Sequence, residues 1–135
     1  MLRYQKYQSK SQFPGVAGLW FLRVVHDETW DLEKMAQHLA DHHSSFSKGQ
    51  YLGMMTDFVA CVKEVLFDGK KVKIGDLGIF SISCHSSGEQ HPTDLTSANI
   101  KSIGVNFQGS GEMDAAARKA AAQFKESDIY KGAEE

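Results

Sequence analysis

The chain has 135 residues, a formal net charge of −2, 41% hydrophobic residues, two cysteines and two prolines. This composition suits one domain of ordinary size and excludes a disordered tail, a disulfide scaffold and a cysteine-rich zinc fold. It contains no run of about 18 apolar residues, so no membrane span is expected. The first ten residues lack an apolar signal region, and a cytoplasmic location fits.

A nucleic-acid binder usually carries a strong positive excess, which the total charge does not supply. The charge is uneven, however. Residues 1–26 carry Arg3, Lys6, Lys10 and Arg23 with no acid. Asp27, Glu28, Asp31, Glu33 and Asp41 then reverse the sign, and Lys48, Lys63, Lys70, Lys71 and Lys73 restore it. Residues 76–100 contain Asp76, Glu89 and Asp94 without any Lys or Arg.

The first elements read as strands. Leu2 and Tyr4 alternate with Arg3 and Gln5, and Leu19 to Val25 is aromatic and β-branched. The stretch Ser11-Gln12-Phe13-Pro14-Gly15 separates them by more than a tight hairpin turn. A helix follows, with Leu32, Met35, Ala36, Leu39 and Ala40 at helical spacing and Thr29 as the expected N-cap. A second helix starts at a capping box, Ser47-x-x-Gln50, with Phe46 and Tyr51 placed as a hydrophobic staple. Its apolar stripe runs Leu52, Met55, Val59, Val62 and Leu66, and Asp68-Gly69 ends it.

Three more strands are expected. Lys71 to Ile74 sets its lysines opposite Val72 and Ile74, Gly75 to Gly78 turns the chain, and Ile79 to Cys84 runs back. The polar excursion from His85 to Ser97 has little to bury and is expected to reach into solvent as an arm. In Ile100 to Phe107, Ile103, Val105 and Phe107 alternate with Ser102, Gly104 and Asn106. Glu112 to Phe124 is an alanine-rich helix former, and Ser127 onward is expected to fray.

Catalytic and metal motifs are weak. His38 and His42 are four apart on a helix, but His38-Leu39-Ala40-Asp41-His42 lacks the glutamate of a zinc-protease motif and has no third ligand at recognisable spacing. Cys61, between Val59 and Val62, is expected to be a buried inert thiol. Cys84 and His85 are strand neighbours pointing to opposite faces. There is no Walker A or GxGxxG motif, and no nucleophile, base and oxyanion donor come together, so neither an enzyme nor a cofactor is expected.

The order of elements and several short motifs resemble the HU/IHF family of bacterial histone-like DNA-binding proteins. Val72 to Phe80 is similar to the family's V-x-L-x-G-F-G-T-F turn, with Leu77 in place of phenylalanine and Ile79 in place of threonine. His91-Pro92 falls where the family has its arm-tip Asn-Pro. Val105-Asn106-Phe107 resembles V-P-x-F, and Gly109-Ser110-Gly111 resembles S-G-K. The match spans Asp31 to about Met113, and the segment before Trp30 looks like the extra N-terminal β region of a divergent HU-related branch.

The resemblance implies an α+β fold of two helices, a three-stranded antiparallel sheet with an extended β arm, and a C-terminal helix. It divides the chain into a β extension (1–28), an HU-like DNA-binding domain (29–125, arm at about 84–98) and a tail (126–135). It also implies a nucleoid-associated homodimer that binds double-stranded DNA with little sequence preference and bends it from the minor groove. Lys71, Lys73 and Lys101 are the expected phosphate contacts, Ser81 and Ser83 neutral hydrogen-bonding partners, and His91 and Pro92 the arm tip with Pro92 as wedge. The arm departs from the family in having no Lys or Arg, and Glu112 replaces a basic residue. A dimerisation or protein-interaction module with weak or lost DNA binding, and a protein partner, is the alternative.

Overall fold

The computed structural model describes residues 2–121 and 125–126. Six strands and three helices are ordered β1 (Arg3–Gln8), β2 (Trp20–Val25), α1 (Leu32–His42), α2 (Lys48–Phe67), β3 (Val72–Ile74), β4 (Gly78–Ser86), β5 (Ile100–Gly109), α3 (Gly111–Ala121) and β6 (Lys125–Glu126). They fall into two compact units, one of residues 1–29 with 115–135 and one of residues 30–114. No helix among the described residues is long and apolar enough to cross a membrane.

In the first unit, β1 and β2 pair antiparallel from Arg3↔Val25 to Gln8↔Trp20. The long connection is closed by its own turns: Val16 and Ala17 donate N–H groups to the Phe13 carbonyl at 3.3 and 3.2 Å, and Ser9 donates to the Leu19 carbonyl at 2.8 Å. Gly15 and Gly18 sit at φ +94° and +77°, where a side chain would be strained. The sequence did not signal β6, which pairs parallel to β1 through Arg3↔Lys125 and Tyr4↔Glu126. Ala122 to Phe124 and Ser127 to Glu135, expected as helix end and frayed tail, lie outside the described residues.

In the second unit, helix α1 starts later than its expected cap. Asp31, not Thr29, is the N-cap, and its carboxylate accepts from the Lys34 N–H at 2.8 Å. An aspartate one residue before the first helical turn is a strong cap, and its charge also suits the positive end of the helix dipole. Helix α2 opens on both halves of the expected capping box. The Ser47 hydroxyl accepts from the Gln50 N–H at 3.2 Å, and the Gln50 side chain accepts from the Ser47 N–H at 2.8 Å. Phe46 meets Tyr51 edge-on at 5.5 Å between ring centroids. Asp68 caps the C-terminus, and Gly69 follows at φ +83°.

Strands β3, β4 and β5 form an antiparallel sheet in that order. Register Phe80↔Phe107, Ile82↔Val105 and Cys84↔Ile103 places these residues on one face, joined by Val72 (opposite Phe80) and Ile74 (opposite Gly78). Helix α2 packs against β3 and β4, and Val72, Ile74, Phe80 and Ile82 are half-buried. The β5 end of the same face is open, with Ile103 65%, Val105 60% and Phe107 52% exposed. Met54, Phe58 and Phe67 on α2 are exposed as well. Among the described residues, the buried apolar side chains are Ala36 and Leu66. Cys61, expected to be buried, is exposed. The apolar stripe of α2 is wider than the surface that the described residues offer to cover it.

The sheet is pinned to α3 at its Gly75–Gly78 turn. Leu77 donates its N–H to the Ile74 carbonyl at 3.0 Å across Gly75 at φ +48°. Ser110 donates its N–H to the Leu77 carbonyl at 3.0 Å and its hydroxyl to the Asp76 carbonyl, while that hydroxyl accepts from the Met113 N–H at 3.0 Å. One serine therefore caps α3 and clamps the turn. Gly78 is buried beneath Phe107. A Cβ there would lie 2.8 Å from the Phe107 ring and would also collide with the Gln108 carbonyl oxygen. Gly78→Ala is expected to destabilise the fold by about 2 kcal/mol, because backbone and an aromatic ring must both move. Denaturant unfolding of the two proteins measures this; an unchanged midpoint would contradict the packing described.

Candidate nucleic-acid interface

The face of the sheet opposite Phe80 and Phe107 is built by the same alternation. Lys73 stands opposite Ile79, Ile79 opposite Gln108, Ser81 opposite Asn106, Ser83 opposite Gly104 and His85 opposite Ser102. Lys73, Ser81, Ser83, His85, Ser102, Asn106 and Gln108 thus share one side, interrupted by Ile79. No Asp or Glu occurs in β3, β4 or β5. The side offers a cation, hydroxyls, amides and an imidazole, all able to donate hydrogen bonds to phosphate or sugar oxygens. Gly104 leaves space beside the Ser83 hydroxyl, which lies 3.8 Å from where a Cβ would stand.

The structure divides the residues singled out in the sequence. Lys73, Ser81 and Ser83 come together on this face, and Lys71, exposed, immediately precedes β3. Lys101 lies inside β5, next to its first residue. The register shifts there, with Ser102 opposite His85 and Ile100 opposite Ser86, so Lys101 is the extra residue of an irregularity. Such a residue is re-aimed by the local kink instead of being fixed to a face by alternation. Asn106, Gln108, His85 and Ser102 are not among the contacts expected from the sequence. Their signal was the polar half of the alternation in which Ile103, Val105 and Phe107 supplied the apolar half.

His91 and Pro92 lie beyond the end of the β4–β5 ladder, both exposed. The connecting residues are not an extended ribbon. The ladder stops at Ser86↔Ile100, and two 3-10 turns follow, Pro92–Asp94 and Ser97–Asn99. Pro92 occupies the first turn position, where its fixed φ suits the turn and its missing N–H costs nothing. Asn99 organises the loop: its side-chain amide donates to the Ser87 hydroxyl at 3.0 Å and the Glu89 carboxylate at 3.2 Å, and its oxygen accepts from the Thr96 N–H at 2.9 Å. The Ser87 N–H closes the base on the Asn99 carbonyl at 2.8 Å. These local bonds, available to a polar loop rich in Ser, Thr and Asn, outcompete further strand pairing.

The His38 and His42 rings lie 4.3 Å apart between centroids, tilted by 53°, and Trp30 meets His38 edge-on at 5.3 Å. Among the described residues, no group of three or more His, Cys, Asp or Glu side chains is arranged to hold a metal ion.

This combination of a two-faced three-stranded sheet, two preceding helices and a β hairpin ahead of them has counterparts. The HU-HIG family, described as an HU domain fused to wHTH, Ig, or Glycine-rich motif, matches residues 1–125. The chain belongs to this family. Among solved structures, a candidate bacterial DNA-binding protein from Bacteroides vulgatus ATCC 8482 is similar with a TM-score of 0.62 at 13% identity, over 92% of this chain and 47% of that one. The HU-HIG chain therefore spans about half the length of that neighbour. The Anabaena HU–DNA cocrystal structure is similar with a TM-score of 0.50 at 15% identity, over 65% of this chain and 97% of that one. At these identities the likeness is one of fold. No curated protein matches the chain.

Proposed function

We propose that the protein is a non-enzymatic architectural DNA-binding protein, acting as a homodimer and contacting duplex DNA with little sequence preference. The observation that carries this reading is the two-faced sheet. One face presents Lys73, Ser81, Ser83, Asn106 and Gln108 with no acidic residue in β3, β4 or β5, while the other leaves Ile103, Val105 and Phe107 open. The first face suits a phosphate backbone, and the second, with Phe58 and Phe67 of α2, suits a second copy of the chain. Membership of the HU-HIG family and the fold shared with an HU–DNA complex support the same reading. The proposed phosphate contacts are Lys71, Lys73 and Lys101, with Ser81 and Ser83 as neutral donors and His91 and Pro92 at the tip of the loop.

A second reading is favoured by that loop. It has no Lys or Arg, and Asn99 holds Glu89 in place, so it presents negative charge where duplex wrapping needs positive. A protein-interaction module with weak or lost DNA binding would use that surface instead.

Three measurements separate and test these readings. Three lysines from each of two protomers give about six phosphate contacts and a log–log salt slope of about −5. Lys73→Gln, which removes two of them per dimer, is expected to make the slope shallower by about two without changing sequence preference. Fluorescence titration across salt checks both, and no measurable duplex affinity at about 20 mM salt would favour the interaction module. Pro92→Ala is expected to reduce bending, read by energy transfer between labelled duplex ends, more than it reduces affinity; an unchanged bend removes the wedge role. Light scattering is expected to give about twice the 15.0 kDa chain mass, and a stable monomer would overturn the homodimer.

A further inference from the structure

The β1–β2 hairpin carries a cluster that the duplex contact does not use. Its register, Gln5↔Arg23 and Tyr7↔Phe21, places these four residues on one face, with Arg3 and Val25 as the next pair. Tyr7 and Phe21 lie 6.0 Å apart between ring centroids and only 34° from parallel. The Arg23 guanidinium sits over the Tyr7 ring, 5.2 Å from its centroid. The Gln5 amide, with its oxygen toward that guanidinium, accepts from Arg23. Arg3 pairs with Asp27 at the hairpin's base. Both rings are exposed, Tyr7 by 36% and Phe21 by 39%.

Two exposed aromatic rings side by side on a sheet offer a flat apolar surface to a partner, and the charge on the same face selects its chemistry. The cations on this face are Arg23 and Arg3, the latter paired with Asp27, and residues 1–26 contain no carboxylate. A partner with flat apolar faces strung along an anionic backbone matches both features, and unpaired nucleotides are that partner. Bases in a duplex hide their faces in the stack, whereas unpaired bases offer them to aromatic side chains and to arginine planes. Strands of six residues span roughly 20 Å, room for a few nucleotides.

We propose that the Gln5–Tyr7–Phe21–Arg23 face of the β1–β2 hairpin is a second nucleic-acid site, one that takes single-stranded nucleic acid by stacking bases on Tyr7 and Phe21. Arg23 adds a stacking plane and a phosphate-facing cation, and Gln5 holds it in orientation. The site stands independently of the duplex contact proposed for β3–β5.

The test uses the full-length protein and fluorescein-labelled 15-nucleotide unstructured DNA and RNA of the same sequence, followed by anisotropy. Binding of either strand is expected, and the ratio of the two affinities reports whether the site discriminates the 2′-hydroxyl. The double variant Tyr7→Leu/Phe21→Leu keeps apolar bulk and is expected to weaken single-strand binding by about tenfold or more. Arg23→Gln, which leaves both rings in place, is expected to weaken it by about threefold. Duplex affinity and far-UV circular dichroism are expected to be unchanged in both variants, and Lys73→Gln is expected to spare single-strand binding. Absence of single-strand binding by the wild-type protein would overturn the proposal. So would unchanged single-strand affinity in both variants. A change of oligomeric mass in the double variant without loss of single-strand binding would assign the face to a second protomer instead.

Discussion

The register of the β4–β5 ladder is the constraint on which the second unit depends. Side chains alternate with a period of two, so a slip of one residue would carry Phe80, Ile82, Val105 and Phe107 to the polar side and Ser81, Ser83 and Asn106 to the apolar one. Two contacts at the same end of the ladder hold it. Gly78 lets the Phe107 ring lie over the backbone, and Ser110 ties the Gly75–Gly78 turn to the first turn of α3. Neither contact is large alone. Together they fix where β4 begins and where β5 ends, and the pairing between follows without further choice.

That register also creates a deficit. Covering an aromatic or aliphatic side chain fully contributes about 1.5–3 kcal/mol. Ile103, Val105 and Phe107, with Met54, Phe58 and Phe67 of α2, forgo about half or more of this among the described residues. Small domains are marginal even when they bury a full core. The apolar face of this sheet is thus half covered by its own helix and half open. The exposure of Cys61 belongs to the same picture, since it lies on the helix between Val59 and Val62.

What the sequence disclosed depends on the range of the interaction. Local signals were legible: the Ser47–Gln50 capping box, the Phe46–Tyr51 staple, the Gly69 helix end and the alternation of Lys73 with Val72 and Ile74 all rest on neighbours within five residues. The α1 cap shifted from Thr29 to Asp31 because both residues can cap and only the position of the first helical turn decides between them. Features set by distant partners were not legible. The two-residue β6 has too little pattern to announce itself, and it exists through its pairing with Arg3 and Tyr4. The loop after Ser86 read as an arm because it had nothing to bury. The bonds that fold it converge on Asn99, up to twelve residues away in the chain, and periodicity does not reveal such bonds.

The charge distribution acquires a physical sense once placed on the fold. A net charge of −2 gives this chain little long-range pull on an anionic partner, so any such attraction would act within roughly a Debye length of local cations, about 8–10 Å at ordinary salt. Lys73, with Lys71 just before β3, provides one such zone, on a face that also carries the Ser81 and Ser83 hydroxyls and the Asn106 and Gln108 amides. The hairpin provides another, where Arg23 lies on an aromatic ring and cation and stacking surface are a single object. The loop that would have to be the most cationic part of a wrapping protein instead holds Glu89 in a hydrogen-bonded turn. Strong wrapping through the loop would have to overcome that negative charge in the narrow confines of a groove, where screening is weakest. The β3–β5 sheet face carries no such negative charge, so its lysine and its neutral hydrogen-bond donors stand there without a carboxylate in the strands to oppose them.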